Sequence, residues 1–143
     1  MRYLGLAHEA YAANTGDDQT VQEVGIHIVY LYEGYTRLTL HEHYSDHQHA
    51  QEAWKAFAQI SSKSSTPGVP ERIRLEAINH LALSALALGD LEQFCGLLEQ
   101  GVTGARALGS QKRRQEAIDA YWKGRGQWPN ETKVRELADL FVN

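Results

Sequence analysis

The sequence predicts an all-α chain of about seven helices joined by short turns, a bundle or a solenoid of antiparallel helical hairpins, in a single domain over residues 1–143. Three observations predict it. Apolar residues recur at three and four positions and seldom at two, the period of a helix that buries one face. Clusters of β-branched residues bounded by turns are missing, so strands have no candidate segments. The chain has only 3 prolines, and each stands where a helix would start or stop.

The first helix is predicted over about residues 2–14, with Leu4, Ala7 and Tyr11 on one side, ending at Thr15-Gly16-Asp17-Asp18. The second begins at Asp18 or Thr20 and runs to about His43, with Val21, Val24, Ile28, Leu31, Tyr32, Tyr35 and Leu38 on a wide apolar face. A helix that apolar belongs in the centre. Ser45-Asp46-His47-Gln48 has the form of a capping box, which starts a third helix carrying Ala50, Trp54, Phe57 and Ile60. The stretch of about 61–68, Ser61 through Pro67 to Gly68, is polar and small and is predicted to be a flexible loop.

A fourth helix follows from about Val69, with Ile73, Ala77, Leu81 and Ala85, and Gly89-Asp90 both stops it and caps the next. The fifth, about 91–107, carries Phe94, Leu98 and Val102, while Gly96, Gly101 and Gly104 keep part of its surface small enough for close approach by a neighbour. Gly109-Ser110 ends it. The last pair spans about 111–127 and about 131–141, separated by Pro129 with Asn130 as the expected N-cap.

Composition narrows the functions. A domain of 143 residues buries about 68–70% of its unfolded surface and needs no metal or disulfide to fold. The single cysteine, Cys95, excludes an intrachain disulfide framework and a four-cysteine zinc module and fits a reducing compartment. No run of 18 apolar residues is present, and the opening MRYLGLAHEAY lacks the apolar core of a signal peptide, so a cytoplasmic protein without membrane partners is expected. A net charge of −4 argues against nucleic-acid binding, and Lys112, Arg113 and Arg114 read as a solvated helix face.

Two segments resemble tetratricopeptide repeats. Ala117-x3-Tyr121-x2-Gly124-x4-Pro129-Asn130 is similar to the second half of that family's pattern, and Leu81-Ala82-x2-Ala85-x3-Gly89-Asp90 to the first half, with Ala85 where the pattern has tyrosine. The spacing is near forty residues rather than the family's thirty-four. The ending, from Gly109-Ser110 through Trp128-Pro129 to Phe141, resembles the C-terminal repeat domains of bacterial helix-turn-helix transcription regulators. The resemblance implies a right-handed solenoid of stacked hairpins that binds a protein segment or peptide without catalysis and without a cofactor, as the sensing or oligomerising part of such a regulator.

It further implies a groove lined by the first helix of each hairpin, with Tyr35, Asn79 and Leu83 inside it and Arg72 and Lys112 at its rim. The chain opens on what resembles the second helix of a hairpin, so it is expected to be the C-terminal part of a longer protein. An uncapped first helix would expose Tyr3, Leu4, Ala7 and Tyr11 as a self-association edge, which makes a homodimer the alternative partner.

The remaining candidates for chemistry are few. His41-Glu42-His43-Tyr44-Ser45-Asp46-His47-Gln48-His49 holds four of the seven histidines. A zinc hydrolase needs two histidines at i and i+4 on one helix with a glutamate after the first. His43 and His47 have the spacing, but Tyr44 follows His43 and the capping box breaks the helix between them. The cluster reads as an exposed polar turn, with a metal-dependent hydrolase as the alternative function and adventitious Zn²⁺ or Ni²⁺ as its weakest form. Cys95, His27 and His80 fall inside helices and read as packed, and Tyr32, Trp54 and Trp128 read as core.

Overall fold

The computed structural model describes residues 19–61 and 68–142, and these are all-α, with no strand among them. Six α-helices and a 3-10 turn follow one another: α1 Gln19–Tyr44, α2 His47–Ser61, α3 Glu71–Leu88, α4 Leu91–Leu108, α5 Gln111–Gln127, α6 Thr132–Glu136, and Leu137–Phe141 in 3-10 form. The helix expected over about 2–14, the edge residues Tyr3, Leu4, Ala7 and Tyr11, and all but the ends of the expected loop lie outside the described residues. No helix among the described residues is long and apolar enough to cross a membrane.

Two turns share one construction. Gly89 and Gly109 take the left-handed conformation at φ 73° and 71°, which a side chain would strain. After α3, the Gly89 N–H donates to the Leu86 carbonyl at 3.1 Å and the Asp90 N–H to Ala85 at 2.9 Å. After α4, Gly109 donates to Arg106 at 3.2 Å and Ser110 to Ala105 at 2.9 Å. Both are Schellman closures that satisfy carbonyls the helix end would orphan. Asp90 and Ser110 then accept from the N–H groups of Gln93 and Arg113 and so begin the next helix.

Two expected caps move by one residue. The break between α1 and α2 is present, but Ser45 takes φ 52° and closes α1 by donating its N–H to the His41 carbonyl at 2.7 Å. The cap is Asp46, whose Oδ1 accepts from the Gln48 N–H at 2.9 Å. Asn130 does not cap the last helix. Glu131 holds that position without a side-chain bond, and the helix tightens to 3-10 after one turn. Its terminal carbonyls are met by arginines from neighbouring helices, Arg106 donating to Leu140 at 2.7 Å and Arg114 to Phe141 at 2.9 Å.

Each helix packs on the next, and α3 in addition lies against both α1 and α5. The core runs continuously through them, with Phe57, Ile60, Leu75, Phe94 and Leu98 fully buried. Glycines set the closest approaches. A Cβ at Gly34 of α1 would overlap the Phe57 ring, one at Gly124 the Phe94 ring, and ones at Gly101 and Gly104 the side chains of Asn79 and Leu75 on α3. Trp54 and Trp128 pack against the core as expected, Trp128 with its ring 5.3 Å from Phe94. Tyr32 does not; it is 61% exposed. On a helix turning 100° per residue, Leu31, Gly34 and Tyr35 hold the buried side of α1 and Tyr32 falls a quarter-turn beyond it.

The glycines give opposite outcomes on substitution. Gly124→Val, which must displace a fully buried ring, is expected to destabilise the chain by about 1–3 kcal/mol. Gly96→Ala meets nothing within 4 Å and should add up to about 1 kcal/mol through helix propensity. Urea denaturation of both variants checks this; equal shifts would place the Phe94 contact elsewhere.

Candidate functional site

The three odd-numbered helices present one shared face. On α3, Arg72, Glu76, Asn79, His80, Leu83 and Ala87 recur at three and four positions and so line one side of the helix. Tyr35, Leu38 and Glu42 do the same on α1, and Lys112, Glu116, Lys123 and Gln127 on α5. Partners along this face advance together, Tyr35 with Glu76 and then Leu38 with Leu83, Glu76 with Arg113 and then Leu86 with Gln127. The three helices therefore run parallel, each returned to the same end by an antiparallel helix between them.

A polar network holds the middle of the face. Glu76 accepts from the Tyr35 hydroxyl through one carboxylate oxygen and from the Arg113 guanidinium through the other. Arg113 is 6% exposed and also lies 3.4 Å from the Glu116 carboxylate. Asn79 donates its amide to the Arg113 carbonyl at 2.9 Å and to Glu116 at 3.2 Å. Burial pushes the Glu116 carboxyl above the ordinary range, against the smaller downward pull of the Asn79 amide and Arg113.

His80 closes the network on the α2 side. Its Nδ1 lies 2.8 Å from the Glu76 carbonyl, which accepts from it, and its ring lies 4.6 Å from that of Tyr35 and 5.4 Å from that of Phe57. Burial lowers its pKa, because the imidazolium would lose its hydration among aromatic rings. The neutral ring thus packs, as the sequence suggests for this histidine.

The expected groove residues occupy this face, though in different roles. Arg72 and Lys112 are exposed at its N-terminal end, and Leu83 is half-buried at its far end. Tyr35 is half-buried with its hydroxyl engaged by Glu76, and Asn79 is 1% exposed. Asn79 therefore shapes the wall rather than offering its amide to a ligand. Glu76, Arg113 and Glu116 were not foreseen as a set, and Arg113, expected on a solvated helix face, is instead buried with its guanidinium taken by Glu76 and Glu116. Glu76 was legible as the polar residue between Arg72 and Asn79 on the same helical side.

The break at Ser45 divides the histidine cluster between α1 and α2, with the His41 and His47 rings 6.3 Å apart across it. His41 Nδ1 lies 3.0 Å from the Asp46 carbonyl, His49 Nδ1 3.2 Å from Arg37, and His43 and His47 are exposed. Among the described residues no group of three or more His, Cys, Asp or Glu could hold a metal ion. Cys95 is half-buried rather than enclosed, and burial with Glu92 beside it pushes the thiol up, away from a reactive thiolate. Compared with known proteins, the chain matches no family model, no curated protein and no solved structure.

His80 makes the network sensitive to acid. Its folded pKa lies below the ordinary 6.5, so the unfolded chain takes the proton first and stability held above that value is lost as pH falls below it. Glu116 acts oppositely: its folded pKa is raised from 4.5, so its contribution favours the folded chain at low pH and is lost as pH rises. Thermal melts at about pH 7.5 and about pH 5.5 should show a lower Tm at the acid value, and the difference should shrink in His80→Gln. An unchanged difference would assign the loss to other histidines.

Proposed function

We propose that the chain is a non-catalytic scaffold of stacked helical hairpins, similar to tetratricopeptide repeats, that binds a segment of another protein along the face formed by α1, α3 and α5. The observation that carries this is the parallel, side-by-side arrangement of those three helices. Their paired residues lie 34 to 41 positions apart, as Asn79 with Arg113, Tyr35 with Glu76 and Leu86 with Gln127. One hairpin of that length repeated along the chain places every second helix beside the last, which is how solenoids form a continuous face. The identical turns at Gly89-Asp90 and Gly109-Ser110 support the same repetition.

Such a face suits binding because its side chains stand on packed helices. Little of the surface has to order when a ligand arrives, so more of the contact energy appears as affinity. The engaged state of Glu76, Arg113 and Asn79 favours a rigid wall over a reactive centre. By the same resemblance the chain serves as the sensing or oligomerising part of a bacterial transcription regulator.

Selection of a random peptide library on the purified chain tests the reading. Selected peptides are expected to lose about tenfold in affinity, roughly 1.4 kcal/mol, when Leu83→Arg is introduced, and to be unaffected by Trp122→Ala, which alters an exposed ring at 62%. Peptides insensitive to Leu83, or a library that yields none, would contradict it.

A further inference from the structure

Beyond the engaged network, toward the C-terminal ends of α1, α3 and α5, the face opens into a cleft of about 190 Å³. Its floor is Leu38 of α1 with Leu83, Leu86 and Ala87 of α3, each half-buried and so still reachable from solvent. Glu42 stands on the α1 rim and Lys123 on the α5 rim, both exposed. Among the described residues neither forms a salt bridge. The other two rim side chains are already held, His41 at the Asp46 carbonyl and Gln127 by donating to the Leu86 carbonyl at 2.8 Å. An apolar floor between rims of opposite, uncompensated charge is a directional recognition surface.

We propose that this cleft selects an extended segment of a partner protein in which a basic, an aliphatic and an acidic residue alternate with single spacers, laid from α1 across α3 to α5. This rests on the binding face described above and adds its ligand chemistry. Alternate side chains of an extended strand point the same way about 6.6 Å apart, so the three residues span about 13 Å. Neighbouring helix axes lie about 8–10 Å apart, and the long side chains of Glu42 and Lys123 cover the remaining distance to the rims. The aliphatic residue enters between Leu38 and Leu83, the basic residue meets Glu42, and the acidic residue meets Lys123.

Sequencing the peptides selected by the native chain, by Leu83→Arg and by the double variant Glu42→Lys, Lys123→Glu tests the polarity. The native chain is expected to enrich the order basic, aliphatic, acidic about tenfold over the reverse, and the double variant to enrich the reverse. The single variants Glu42→Gln and Lys123→Gln should each weaken the preference, and they provide the same reading if the double variant fails to fold. Peptides that depend on Leu83 but show no polarity, or a polarity that the charge exchange leaves unchanged, would overturn the inference while leaving the binding face standing. Peptides indifferent to Leu83 as well would overturn both.

Discussion

Glu76 accepts from Tyr35 on one side and from Arg113 on the other, so a single carboxylate ties α1, α3 and α5 together. Its backbone carbonyl also accepts from His80, which sets that ring against Tyr35 and Phe57. Neighbouring apolar faces can slide along one another at small cost; a carboxylate with both oxygens engaged cannot, because slippage would strand a charge out of water. The register of the odd-numbered helices, and with it the position of the cleft, follows from that constraint.

The surroundings are built to tolerate the charges. Arg113 begins from a capped turn, its N–H donating to Ser110, while its carbonyl accepts from Asn79. Gly101 leaves room for the Asn79 amide where any larger residue would collide with it. Close packing at Gly34 and Gly124 brings α1 onto Phe57 and α5 onto Phe94, so the apolar core and the polar network fix the same arrangement from opposite sides. A face held this firmly can present Leu38, Leu83, Glu42 and Lys123 at constant spacing, which is what recognition of a short extended segment requires.

Local chemistry was legible in the sequence. The turns at Gly89-Asp90 and Gly109-Ser110 were readable because a left-handed glycine followed by a capping side chain acts within a few residues. The break after Tyr44 was equally clear, although the cap passed from Ser45 to Asp46 once Ser45 took a positive φ. Tyr32 was misplaced because α1 carries apolar residues on most sides, and its buried face is chosen by neighbours that periodicity does not reveal. Leu83 was expected in the groove from the family resemblance, and it stands half-buried on the face of α3 that carries Glu76 and Asn79. The engagement of Glu76 with Arg113 was not legible, since those residues are 37 positions apart and meet only through the packing of α3 on α5.

A double-mutant cycle on Glu76 and Arg113, read as unfolding free energy, tests the central claim most directly. Glu76→Gln and Arg113→Met are measured singly and together. A coupling energy of about 2 kcal/mol or more is expected for a pair this buried, because Arg113→Met leaves the Glu76 carboxylate with the Tyr35 hydroxyl alone, Glu76→Gln leaves Arg113 with the more distant Glu116, and the second change relieves each loss. A coupling below about 0.5 kcal/mol, typical of an exposed pair, would contradict the account and leave the parallel arrangement of α1, α3 and α5 to apolar packing alone.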